Sequence, residues 1–76
     1  MSVYLVPATV ELSHLDGTRF RLLVVWTNGQ RGKWDGPDTE VRPCHQTLLA
    51  AMSAQATVDV SRWPKLRIGS GFETDW

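Results

Sequence analysis

Residues 19–29, Arg19-Phe20-Arg21-Leu22-Leu23-Val24-Val25-Trp26-Thr27-Asn28-Gly29, decide the fold. Phe20, Leu22, Val24 and Trp26 fall on one side of a two-residue period, and Arg19, Arg21, Leu23 and Val25 on the other. The second side begins charged and ends apolar. Such a pattern predicts a central strand, covered on both faces over its second half. Asn28-Gly29 closes it with a hairpin signal.

Upstream, Val10 and Leu12 alternate with Thr9, Glu11 and Ser13, which predicts a strand from about Ala8 to Leu15. Asp16-Gly17 joins it to the central strand by a tight turn. Pro7 lacks an N–H, so Val3 to Val6 is either a separate short edge strand or the start of the same strand broken at the proline. Downstream, Gln30 to Asp35 is expected to return as a third strand, weakened by Gly32 and lying at an exposed edge.

Gly36-Pro37-Asp38 ends the sheet, and only the stretch from Glu40 to Ala56 has helical character. Proline is tolerated in a first helical turn and costs about 3 kcal/mol inside a helix, so the helix body is expected from Pro43 to Ala56. Cys44, Leu48, Leu49, Ala51, Met52 and Ala56 supply its apolar stripe. Thr57 to Val60 and Leu66 to Ile68 read as two further strands around a break at Trp63-Pro64. The expected fold is α+β, a four- to five-stranded, mostly antiparallel sheet in the order β-β-β-α-β-β with one helix on one face. Residues 1–76 form one domain, with 69–76 as a glycine-led tail.

Composition narrows the function. A chain of 76 residues builds one small core and leaves little material for a deep catalytic cleft. Lys and Arg number eight against eight Asp and Glu, so no overall field holds the chain on nucleic acid or lipid. No apolar run reaches membrane-spanning length and no secretory leader is visible. One cysteine makes no internal disulfide. A cytoplasmic protein without a membrane partner is expected.

No catalytic set emerges. Cys44 and His45 are adjacent, and consecutive helical side chains diverge, so a thiolate–imidazolium pair is disfavoured. One Cys and two His, Cys44, His14 and His45, lack metal-ligand spacing. A nucleophile elbow, a Walker loop and a dinucleotide fingerprint are all missing. The expectation is a non-enzyme with no cofactor and no metal.

Charge and tryptophan point to binding. Every charged residue between Gly17 and Trp34 is basic: Arg19, Arg21, Arg31 and Lys33. Arg62, Lys65 and Arg67 form a second basic group. Six of the eight cations are arginine, which makes forked contacts and stacks on aromatic rings. The plainer reading of Arg19 and Arg21 is that they keep a solvent face polar, with Glu11 as partner across the hairpin. Trp26 belongs to the core by its period. Trp34, Trp63 and Trp76 lack that support, and any of them left exposed is a contact residue.

The favoured reading is therefore a protein-binding module. Its hairpin contact uses Trp34 as anchor, Arg31 and Lys33 as charge contacts and Arg19 and Arg21 beside them, with Arg62 and Trp63 as a secondary site. An exposed edge strand also offers pairing with a second copy. No family motif is matched. The general profile is similar to that of small phage-encoded inhibitors of host machinery, anti-CRISPR proteins among them, and this likeness of type implies binding and blocking of a host complex. Two alternatives are a single-stranded nucleic-acid platform built on the basic hairpin and a small structural subunit of a virion or complex.

Overall fold

The period of two at residues 19–26 organises the whole molecule, a computed structural model of which describes residues 3–69. Strand β1 (Tyr4–Leu5) is followed by β2 (Pro7–Asp16), β3 (Arg19–Trp26) and β4 (Arg31–Pro37). Helix α1 (Asp38–Ala54), β5 (Val58–Asp59), a 3-10 turn (Val60–Arg62) and β6 (Arg67–Gly69) complete the described chain. Four strands form one antiparallel sheet in the order β2-β3-β4-β6, and β1 pairs with β5 as a separate two-stranded ribbon. The fold is α+β with the helix packed on one face of the sheet.

The inner face carries Leu22, Val24 and Trp26 from β3, each at most 1% exposed, with Val10 and Leu12 of β2 opposite Val24 and Leu22. Helix α1 closes it with Val41, Cys44, Leu48 and Ala51, an i, i+3, i+7, i+10 stripe. Leu49 and Met52 are half-buried and Ala56 is exposed, so the buried stripe is narrower than the expected one.

Two glycines of β4 set the packing. Gly32 and Gly36 share the inner face with Trp34, and side chains there would crowd the indoles. A Cβ on Gly36 would lie 2.9 Å from the Trp34 Nε1, and one on Gly32 would lie 3.3 Å from the Trp26 Nε1. Gly32 thus makes room for a ring as well as lowering strand propensity.

Two expectations are corrected, and one expected turn is given its form. The helix begins at Asp38, five residues before Pro43, which sits within it. Pro43 withholds one hydrogen bond, the one that would run to the Thr39 carbonyl, while Asp38 and Glu40 suit the positive end of the helix dipole and Asp38 pairs with Arg42 at 2.7 Å. The Asn28-Gly29 turn is a three-residue loop: only Gly29 takes positive φ (91°), its N–H donates to the Trp26 carbonyl at 2.9 Å, and the Trp26 N–H donates to the Gln30 carbonyl at 2.8 Å. Lastly, β4 is not an open edge over its first half, because β6 pairs with Arg31, Gly32 and Lys33. Among the described residues the long open edge is β2. Of the expected tail, Gly69 closes β6, and 70–76, with Trp76, lie outside the described residues.

Candidate functional site

Strand alternation sorts the expected site residues onto opposite faces. Arg31, Lys33 and Asp35 point outward from β4, whereas Gly32, Trp34 and Gly36 point inward beneath α1. Trp34 is 8% exposed and belongs to the core, against Val41 and over Gly36. Its expected role as an exposed anchor beside Arg31 and Lys33 is therefore corrected: a strand cannot show neighbouring residues on one face. The alternation itself was the available signal, outweighed by charged neighbours that implied a wet ring.

What the outer face does assemble is set by register. Glu11 of β2, Leu23 of β3, Lys33 of β4 and Arg67 of β6 form one cross-strand row. Thr9, Val25, Arg31 and Gly69 form the next, and Ser13, Arg21 and Asp35 the one on the other side. Neighbouring strands lie about 4.8 Å apart, so these side chains make a continuous surface. Leu23 and Val25, expected to be covered, remain partly exposed at its centre, with the helix on the opposite side.

Charge on this surface is unevenly shared. Arg21, Arg31, Lys33 and Arg67, with Arg19 at the turn end, share this face with Glu11 and Asp35. Arg21 grips Asp35 with a fork, Nε to Oδ1 at 2.9 Å and Nη2 to Oδ2 at 3.0 Å. That hydrogen-bonded guanidinium holds the Asp35 carboxyl below its ordinary range against the opposing effect of partial burial, with Lys33 and Arg19 adding attraction. Lys33 stands directly opposite Arg67. Like charges directly opposite each other work against sheet stability.

The remaining expected residues have other work. Arg19 pairs with Asp16 at 3.8 Å beside the Gly17 turn, and register puts Glu11 opposite Leu23, so Asp16 and Asp35, not Glu11, partner the two hairpin arginines. Arg62 stacks over the Trp63 ring at 5.5 Å, and Trp63 is half-buried against the core. These two are together, but on the 3-10 turn rather than on the basic face. Cys44 is 1% exposed, and burial pushes its thiol up to about 12 despite the nearby charge of Arg62, which keeps it protonated at neutral pH. His14 Nε2–H donates to the Gly17 carbonyl at 2.9 Å, at the hairpin end. Among the described residues no cluster of three or more His, Cys, Asp or Glu is placed to hold a metal, and no helix is long and apolar enough to cross a membrane.

Leu23 and Val25, partly exposed on the outer face, and the place of Arg67 beside Lys33 are not evident from the sequence pattern. The three-residue strand β6, which carries Arg67 to Lys33, gave no periodic signal strong enough to place it. No protein-family model matches the chain, and no significant match is found among curated proteins or solved structures.

Proposed function

We propose that the chain is a non-catalytic protein-binding module whose contact surface is the outer face of its four-stranded sheet. The supporting observation is the composition of that face, partly exposed Leu23 and Val25 ringed by Arg21, Arg31, Lys33 and Arg67 on the side of the sheet away from the helix. An apolar centre with an arginine-rich rim suits an acidic protein surface, where rim charges steer the encounter and the centre excludes water. Arg62 and Trp63 lie outside this surface and form a secondary contact. Binding of this kind acts by obstruction, the mode of the phage-type inhibitors whose general profile the chain shares. Its place of action is the cytoplasm.

Immobilised protein presented to a candidate host lysate tests the proposal when wild type is compared with Leu23→Asp and with the double variant Arg31→Glu, Lys33→Glu. Each variant is expected to lose the captured partner while melting within a few degrees of wild type, since surface substitutions usually change stability by about 0.5 kcal/mol or less. Capture that survives all three substitutions contradicts it.

A single-stranded nucleic-acid reading draws on the same four cations. It is weakened by Trp34, the aromatic expected to stack bases, which faces the core. A labelled oligonucleotide shifted at low salt, and released as salt rises, is the result that favours it.

A further inference from the structure

The sheet is split at one corner. Strand β6 pairs with β4 only from Arg31 to Lys33, whereas β4 continues to Pro37. The chain reaches β6 through Pro64 and Lys65, turned by a hydrogen bond from the Leu66 N–H to the Trp63 carbonyl at 2.9 Å and anchored by the buried Leu66 side chain. Pro64 and Lys65 therefore stand off from the second half of β4. The gap is a cleft of about 430 Å3 lined by Lys33, Trp34, Asp35, Pro64, Lys65 and Arg67.

Three properties define what fits this cleft. Its walls bring three cations, Lys33, Lys65 and Arg67, together with one carboxylate, Asp35, which Arg21 also holds by its fork. Lys65 contacts Glu40 at 3.2 Å, but both side chains are well exposed and such surface pairs hold weakly, so the ammonium is easily redirected. One wall is the margin of β4 past Lys33, where the β6 ladder has stopped, and a strand margin pairs with extended peptide backbone. Base stacking has little to use here: Trp34 is 8% exposed, and Pro64 offers no aromatic plane.

We propose that this cleft seats an extended acidic segment of a protein partner, laid along β4 beyond Lys33 with its carboxylates on Lys33, Lys65 and Arg67. The proposal rests on the protein-binding reading above and adds the partner's chemistry. A segment alternating acidic and small polar residues matches the sheet period, since every second side chain then faces the outer surface where Lys33 and Arg67 lie.

The test is a titration of the isotopically labelled full chain, followed by amide NMR, with a blocked octapeptide alternating Glu and Thr. Its Gln–Thr counterpart, inorganic phosphate and oligodeoxythymidylate are titrated in parallel. Shifts are expected at residues 33–36 and 65–67 with the Glu peptide, with affinity about tenfold weaker for the Gln peptide and for the double variant Lys33→Gln, Arg67→Gln. The spectrum of each variant reports whether it is folded, and Lys65→Gln alone, at an exposed site, is expected to weaken binding by a smaller factor. Equal binding of Glu and Gln peptides, no cleft shifts with either, or stronger cleft shifts with oligodeoxythymidylate or phosphate overturns the proposal. Loss of partner capture by Leu23→Asp would in those cases still support the outer face, so the two readings fail separately.

Discussion

Trp34 lies over a glycine because any other residue at position 36 would meet its indole. With the Gly36 Cβ position 2.9 Å from Nε1 and 3.3 Å from Val41, alanine there forces the ring or the helix to move. Gly36→Ala is expected to cost about 1–3 kcal/mol, the usual penalty of overpacking, read as a lower melting temperature with an unchanged circular dichroism spectrum. Trp34→Ala leaves a cavity instead and is expected to cost about 3–5 kcal/mol. A near-neutral Trp34→Ala would return this residue to the surface. Asp35 gives a second test at this scale. Its carboxyl is held below the ordinary value of 3.8 by the hydrogen bond from Arg21, so the folded state binds its proton less readily than the unfolded chain does. The stabilisation is therefore complete above 3.8 and is lost as pH falls through the lowered folded value. Melting temperatures followed into acid are expected to drop less steeply for Asp35→Asn than for wild type; parallel curves would show that the fork contributes nothing to folding.

Helix α1 ends where Gln55 takes the left-handed conformation, φ 54°, with its N–H directed to the Met52 carbonyl at 3.2 Å and the Ala56 N–H to the Ala51 carbonyl at 2.9 Å. Glycine is the residue suited to that position, and Gln55→Gly is expected to raise stability by about 0.5–1 kcal/mol, measurable by urea titration. A loss of stability would mean that the glutamine side chain contributes more than the backbone strain costs. The same scale shows what was legible in the sequence. The strand at Arg19–Trp26 and both glycine turns were readable because alternation and turn chemistry are local. The helix start was hidden by Pro43, which reads as a first-turn residue but sits inside a helix that Asp38 and Glu40 begin. The pairing of β6 with β4 joins residues more than thirty positions apart in a three-residue ladder, and no local pattern encodes it. The candidate site inherited this gap: Lys33 was legible as a surface cation, but not as the neighbour of Arg67.

At the scale of the whole molecule, the chain's zero net charge conceals an uneven outer sheet face. Arg19, Arg21, Arg31, Lys33 and Arg67 stand there, whereas Asp38 and Glu40 at the helix start are paired with Arg42 and Lys65. The helix covers one face of the sheet and stabilises it, leaving the other to present Leu23 and Val25 within a basic rim. On the proposed function the two faces have separate duties, packing and contact. Side-chain footprinting of the captured complex compares them most directly. Leu23, Val25 and Lys33 are expected to become protected from hydroxyl radicals when partner is bound, while Met52 on the helix keeps the reactivity it has in the free protein. Protection of Met52 with the outer face still reactive would contradict the account.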